Sequence, residues 1–402
     1  MPMTEHADVD TRKSRRAGAE LRAEAKTRPL RIAMLGTRGI PASYSGFETC
    51  VEELGSRLVQ RGHRVTVYCR THHIKYPRRT YRGMQLVKLP TIRNKYFDTL
   101  VHALLSSVHA LFRPYDICLY FIAGNSLVAW IPRLTGKRTI INVDGLDWKR
   151  EKWPPLAKKY IRFAERMAGV LANAVVTDSR VVQRYYKQAY GIATHYIAYG
   201  SDVEPLPPGE VLRRWGLEPR KYVLFVGRLV PENCAHHLVE AYCMMDEQYR
   251  RDMKCVIVGD APYAEEYIAS LKASACDGLV FTGYLFGEGY RELSSNAYCF
   301  VETSGVGGTH PALLEAMGFG NCVVAHDTPE NLETIGPVGF SYDGRRGADS
   351  LREVLQYLIA NPQVVQERRA MSQQYARRNY SWDAVTDEYL RLFYHMLRHS
   401  TE

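Results

Sequence analysis

The sequence predicts an α/β protein built of two Rossmann-like, doubly wound domains facing a cleft. Three observations predict it. Apolar strand-like runs alternate with helical runs along the chain, the pattern of parallel sheets with helices on both faces. The 402 residues are enough for two full cores. A stiff break at Pro205, Pro207, Pro208 and Gly209 divides the alternation into two sets.

Residues 1–28 mix both charge signs with few apolar residues and are expected to form a disordered tail. The first domain, 29–204, opens on Leu30-Arg-Ile-Ala-Met-Leu-Gly, a buried parallel strand by composition. Further strands are expected near 64–69, 85–89, 116–121, 138–143, 174–178 and 194–198, with helices at 47–61, 98–112 and 155–172. Gly62 ends the first helix with a left-handed cap. The second domain, 205–379, has its first strand at Lys221-Tyr-Val-Leu-Phe-Val-Gly. Others follow near 254–259, 279–281, 298–302 and 321–325. In the last segment, 380–402, a capping Ser381 and helical apolar spacing predict a helix that packs back on the body of the protein.

Hydrophobic content of 46% and charged content of 24% are those of a globular protein. No run approaches ~18 uninterrupted apolar residues, and the N-terminus has no apolar leader core, so neither a membrane span nor a signal peptide is expected. The nine cysteines form no Cys-x-x-Cys pair, and Cys69, Cys118, Cys255, Cys299 and Cys322 sit in apolar runs. That argues for reduced, buried thiols in a cytosol and against a disulfide framework or a zinc site. A net charge of +10 suits nucleic acid, an anionic membrane surface or phosphorylated substrates. The chain has no nucleic-acid module and no basic–aromatic stacking pattern, so nucleic acid is not an expected partner.

The most informative segment is 297–320. A strand-like run ends in a loop with Gly305, Gly307 and Gly308, Pro311 opens a helix, and Glu315 lies one turn inside it. Bare N–H groups at a helix N-terminus make an anion site. A carboxylate one turn in can accept hydrogen bonds from sugar hydroxyls, so the pair fits a nucleotide-sugar. An ordinary strand–loop–helix turn explains the same residues more plainly. A second loop, Gly36-Thr-Arg-Gly-Ile-Pro-Ala-Ser-Tyr-Ser-Gly-Phe-Glu-Thr, follows the first strand. Its Gly36, Gly39 and Gly46 do not fit the G-x-G-x-x-G spacing, and no cofactor is expected. The loop can instead bring backbone N–H groups up to a substrate in the cleft. Both loops sit at the carboxyl ends of strands, where ligands bind in open α/β sheets.

Four segments together carry a family resemblance: 36–49, Asn142-Val-Asp-Gly-Leu-Asp-Trp-Lys-Arg, Gly227-Arg-Leu-Val-Pro-Glu-Asn and Val306-Gly-Gly-Thr-His-Pro-Ala-Leu-Leu-Glu-Ala-Met. Over about 30–395 the chain resembles the retaining glycosyltransferases of family four, which have the GT-B architecture, and within them a bacterial subgroup described as rhamnosyltransferases. The resemblance implies transfer of a sugar, rhamnose in that subgroup, from a nucleotide-diphosphate donor. The implied acceptor is a glycan or polyprenyl-diphosphate-linked glycan of cell-surface polysaccharide synthesis. It implies that Glu315 holds the ribose, that Arg228 and Asn233 grip the diphosphate, and that Gly39, Gly307, Gly308 and Thr309 complete the donor site. Asp144 stands where the broader family has a cleft histidine. It is assigned with Arg228 to catalysis, and Tyr44, Gly46 and Asp147 to the acceptor. A turn is the plainer reading of Asp144-Gly145.

The chain also departs from the family. The first Glu of the Glu-x7-Glu motif falls at Gly307, and the Glu that precedes Val-Gly-Gly-Thr in the subgroup is Gly305. Either the 307–309 backbone holds the donor sugar alone or Glu302 swings in. Asn233 replaces a Lys; it can donate a hydrogen bond without charge, while Arg228 offers a forked phosphate contact. No Asp-x-Asp motif lies in a suitable loop, so no metal is expected. These departures keep a second function class open, a catalytically inactive nucleotide-sugar-binding relative or scaffold. Residues 149–166, and 91–113 with Arg93, Lys95, Tyr96 and Phe112, place basic side chains beside aromatic and apolar ones. They predict peripheral association with the inner face of the cell membrane.

Overall fold

A computed structural model describes residues 28–42, 46–94, 97–143, 145–150 and 153–398. The expected tail therefore lies outside the described residues, apart from Arg28. The first sheet has eight strands: β1 (Arg31–Leu35), β2 (Arg64–Arg70), β3 (Thr80–Tyr81), β4 (Met84–Leu89), β5 (Ile117–Phe121), β6 (Arg138–Val143), β7 (Ala174–Thr177) and β8 (His195–Tyr196). Their spatial order is β3-β4-β2-β1-β5-β6-β7-β8. Every pairing is parallel except β3 with β4.

The period of two decides which face each side chain covers. In β1, Ile32 and Met34 join one core, while Ala33 and Leu35 join the core on the opposite face. The first core is roofed by Leu54 and Leu58 of the helix Gly46–Gln60. The second takes Ala110 of Asp98–Leu111, Ala168 of Pro155–Leu171 and Val182 and Tyr186 of Arg180–Tyr190. Gly62, at φ +88°, follows the first helix in the left-handed conformation.

The second sheet contains β9 (Tyr222–Val226), β10 (Lys254–Val258), β11 (Leu279–Gly283), β12 (Cys299–Glu302), β13 (Cys322–His326) and β14 (Phe340–Tyr342), all parallel, in the order β11-β10-β9-β12-β13-β14. The same alternation recurs. Val223 and Phe225 pack with the helices Ala235–Cys243 and Ala348–Ala360, and Tyr222 and Leu224 with Leu313, Ala316 and Met317 of Pro311–Gly318. Sequence reading omits β3 and β14, which are two and three residues long and carry too little pattern to register.

One expectation about cysteines is corrected. Cys243 and Cys276 form a disulfide, with Cα atoms 5.8 Å apart. They lie 33 residues apart, at the end of the Ala235–Cys243 helix and in the loop before β11, so no local spacing announces them. Cys69, Cys118, Cys255, Cys299 and Cys322 are free and buried.

After the helix Pro362–Asn379 the chain crosses back to the first domain. Trp382, Tyr389 and Phe393 of the final helix, Trp382–Arg398, sit in the same core as Ile32 and Leu54. The outward and return crossings touch. Ser201 donates its N–H to the Tyr380 carbonyl, and Asp202 accepts the Trp382 N–H at 3.2 Å and Arg57 Nη2 at 2.8 Å. On the outer face, Arg61 bridges to Asp387 at 2.7 Å and Asp383 at 3.0 Å. Burial makes this helix part of the first domain's core, so Phe393→Ala should destabilise that domain by about 3–5 kcal/mol, read as a shifted denaturant midpoint in its unfolding transition.

Candidate active site

The segment after β1 and the segment after β12 both open on one cleft of about 1760 Å³. It lies where the carboxyl ends of the two sheets face each other, the position expected of a ligand site in such sheets. Of the residues singled out in the sequence, Gly46, Asp147, Arg228, Asn233, Gly307, Gly308, Thr309 and Glu315 line it. Tyr44 and Asp144 lie outside the described residues. Gly39 does not line the cleft. It packs against β2, where a Cβ would come within 2.5 Å of Cys69 Sγ, and its role is to let the turn pass beneath.

Glu315 points into the cleft from the first turns of Pro311–Gly318. Tyr290, from the helix Gly287–Asn296, donates its hydroxyl to Glu315 Oε2 at 2.6 Å. Burial pushes the Glu315 carboxyl up from its usual range, and the Tyr290 hydrogen bond opposes that shift. The Glu315 side chain lines the cleft, where its other oxygen can meet a ligand hydroxyl. Pro311 stands at the first helical position, as its missing N–H predicts.

Arg228 follows β9 on a short loop whose shape depends on Asn233. The Asn233 amide donates to the Arg228 carbonyl at 2.9 Å, and Thr303 Oγ1 donates to the Asn233 carbonyl at 2.5 Å. Asn233 therefore acts on the loop backbone that presents Arg228, rather than standing beside it as a second cation would. Glu302 is buried, and its Oε1 accepts the Ser304 N–H at 3.0 Å. That bond ties the carboxylate to the start of the glycine loop. Asp147 is paired with Arg150, Oδ1 to Nε at 2.8 Å.

The two domains meet around this site at four places. A Cβ on Gly145, which sits at φ +37°, would lie 2.5 Å from the Gly308 nitrogen. A Cβ on Gly46 would lie 2.6 Å from Pro311 Cγ. Asp178, at the end of β7, accepts the Thr309 N–H at 2.7 Å, and Thr309 Oγ1 donates to the Asp178 carbonyl at 3.0 Å. Glu333 of the second domain accepts the Arg180 and Val181 N–H groups at 2.7 and 3.0 Å, capping the helix Arg180–Tyr190 of the first. Thr309 is thus engaged with the first domain in this arrangement, a use that sequence reading did not assign. Asp178 was findable, since Asp-Ser directly after a four-residue apolar strand is a helix-start signal at a cleft-facing strand end. Tyr290 and Glu333 carry no comparable signal, because only the tertiary fold brings them to the site.

Among the described residues, two groups of side chains converge closely enough to hold a metal ion: His72 with His73 and Asp98, and Cys234 with His236 and His237. In the first, the Arg70 guanidinium already bonds Asp98 at 2.7 Å and brings like charge to any cation. In the second, each imidazole meets a tyrosine hydroxyl, His236 with Tyr267 at 2.9 Å and His237 with Tyr342 at 3.1 Å.

Comparison with known proteins agrees with this architecture. Residues 30–202 match the family described as Domain of unknown function (DUF1972), and residues 212–379 match Glycosyl transferases group 1. O-antigen chain mannosyltransferase B of Escherichia coli is 24% identical over 230 residues, which are 56% of this chain and 60% of that protein. The chain thus spans 60% of the length of that relative. Alpha-maltose-1-phosphate synthase of Mycolicibacterium smegmatis is 25% identical over 410 residues, covering 90% of this chain and 99% of that protein. The structure of Anabaena HepE in complex with UDP-glucose superposes with a TM-score of 0.72 at 17% identity, covering 92% of this chain and 100% of that one. The chain therefore has the GT-B fold of glycosyltransferases, and its second domain matches the model of the glycosyl transferases group 1 family over residues 212–379.

Proposed function

We propose that the protein is a retaining glycosyltransferase that moves a sugar from a nucleotide-diphosphate donor to a glycan acceptor in cell-surface polysaccharide synthesis. The observation that carries this reading is the grouping of Arg228, the Gly307–Gly308 backbone, the helix opened by Pro311 and Glu315 on one wall of one cleft. A diphosphate on that wall meets a forked cation and a helix N-terminus, and Glu315 is placed for a ribose hydroxyl. The HepE complex, of the same fold, holds UDP-glucose. Rhamnose is the donor sugar that the sequence resemblance favours, and a lipid-linked glycan the acceptor.

Catalysis in this reading is electrostatic. The bond from the anomeric carbon to the diphosphate oxygen breaks as the bond to the acceptor oxygen forms on the same face. The acceptor proton passes to the departing diphosphate, so no protein nucleophile is needed. Arg228 and the loop backbone stabilise the leaving charge. Asp144 and Asp147, with Gly46 and Tyr44, orient the acceptor hydroxyl from the first domain. The diphosphate is neutralised without a divalent ion. A second reading, a binding relative without transfer activity, draws on Gly305 and Gly307 in place of carboxylates and on the structural use of Asn233. Transfer of label from a panel of nucleotide-sugars separates the two.

The apolar and basic segments of the first domain support work at a membrane surface. No helix among the described residues is long and apolar enough to cross a membrane. Leu104, Leu105, Val108 and Phe112 are nonetheless exposed on and just beyond the helix Asp98–Leu111, and Leu156, Phe163 and Val170 on Pro155–Leu171. Lys159, Arg162 and Arg166 are exposed on the second of these helices. Lys95 and Tyr96 lie outside the described residues.

Three outcomes test these statements. Calorimetry with UDP and dTDP should show Glu315→Ala weakening the better ligand by about 1–3 kcal/mol, the value of a hydrogen bond to a charged group; unchanged affinity removes Glu315 from the donor site. Transfer rates should survive excess chelator, and strong inhibition overturns the metal-free mechanism. The protein should sediment with anionic liposomes at low salt and be released as salt rises, since screening shortens the electrostatic reach; indifference to anionic vesicles leaves a soluble acceptor as the better assignment.

A further inference from the structure

The first-domain wall of the cleft contains a cluster that the donor site does not use. β2 ends at Arg70, and the turn after it carries His72 and His73, facing the start of the helix Asp98–Leu111. Arg70 is 4% exposed. It donates Nη1 to Asp98 Oδ2 at 2.7 Å and Nη2 to Thr99 Oγ1 at 3.1 Å. His73 Nε2 lies 3.4 Å from the same carboxylate oxygen and His72 Nε2 3.6 Å from the other. The two rings are 4.0 Å apart, centroid to centroid. Arg38 and Arg93 line the same cleft.

Three guanidiniums and two imidazoles thus share this part of the wall with two carboxylates, Asp98 and Glu48, and the rest of the first-domain lining adds Asp147, paired with Arg150, and Lys159. Asp98 is paired with Arg70, and Glu48 Oε1 accepts the Arg38 backbone N–H at 3.0 Å. Burial, and after it the charge of Arg38, push His73 down to about 4. The local balance therefore favours an incoming anion over a cation. The lining beside it is apolar. Phe97, Leu156 and Phe163 all line the cleft yet remain 54%, 79% and 52% exposed, and Trp153 and Tyr160 line it as well. Large apolar side chains left open next to a cationic wall suit a ligand that is anionic at one end and hydrocarbon at the other.

We propose that this wall seats a lipid diphosphate, its diphosphate on Arg38, Arg70, Arg93, His72 and His73 and its hydrocarbon along Phe97, Leu156 and Phe163. This deepens the acceptor half of the proposed function and rests on that reading for its biological meaning. The binding claim can fail separately.

The test uses the full chain with farnesyl diphosphate as probe, in calorimetry with saturating UDP present. Farnesyl diphosphate should bind alongside UDP and more tightly than inorganic pyrophosphate. Arg93→Ala and His73→Ala should each weaken it about tenfold or more, as expected for lost hydrogen bonds to a charged ligand, with UDP affinity unchanged. Arg93 is exposed and outside any core, so its variant reports on binding even where a change at buried Arg70 would disturb folding. Phe97→Ser should weaken farnesyl diphosphate and leave inorganic pyrophosphate unaffected. Competition between farnesyl diphosphate and UDP, equal affinity for inorganic pyrophosphate, or indifference to Arg93→Ala overturns the proposal. So does zinc binding abolished by His73→Ala in a protein that ignores farnesyl diphosphate. If UDP fails to bind while farnesyl diphosphate binding still depends on Arg93, the donor reading falls and the lipid-diphosphate site stands.

Discussion

The seam between the two domains is the constraint on which the site depends. The turn after β6 approaches the glycine loop so closely that Gly145 faces the Gly307–Gly308 backbone with no room for a side chain of its own. Gly46 meets Pro311 in the same way. Backbone groups brought that near each other need partners, and Asp178 supplies them to Thr309 through its carboxylate and its carbonyl. The glycine loop of the second domain is thereby shaped by the first domain. Thr309 N–H can serve Asp178 or a ligand anion, but not both at full strength. Under the proposed function, opening of the seam and loading of the loop by a diphosphate are coupled through this one hydrogen-bond donor, a simple route to ordered binding.

Electrostatics divides the cleft into two ends of different character. Around Arg228 the charge is balanced by Glu302 and Glu315, both held by protein donors, Ser304 N–H and the Tyr290 hydroxyl. Burial costs an unpaired carboxylate heavily, so these two bonds keep acidic groups in place in a partly closed site. Around Arg70 the positive groups outweigh the negative ones and the neighbouring surface is apolar. The contrast arises from strand ends: β9 and β12 deliver the first set, β2 and the start of Asp98–Leu111 the second.

Much of this was legible in the sequence, for identifiable reasons. Buried parallel strands such as Ile117–Phe121 and Tyr222–Val226 are continuous apolar runs, and their boundaries could be read within a residue or two. The glycine loop and Pro311 mark a helix N-terminus by rules that act over a few residues, and Glu315 follows from them. What escaped was whatever depends on distant partners. The Cys243–Cys276 bond, the Tyr290 hydroxyl on Glu315 and the Glu333 cap on Arg180–Tyr190 join elements whose proximity no local pattern states. Asn233 was legible as a polar residue near Arg228, but its use depends on where its amide points, and only the loop conformation decides that.

The return of Trp382–Arg398 to the first core also sets an order of events during synthesis. The first sheet emerges from the ribosome with the face around Ile32 and Leu54 lacking Trp382, Tyr389 and Phe393, and the whole second domain is made before those residues appear. For that interval a patch of aliphatic surface waits for its cover. The nascent chain is then a natural client for a holding chaperone. The domain translated first is the domain completed last.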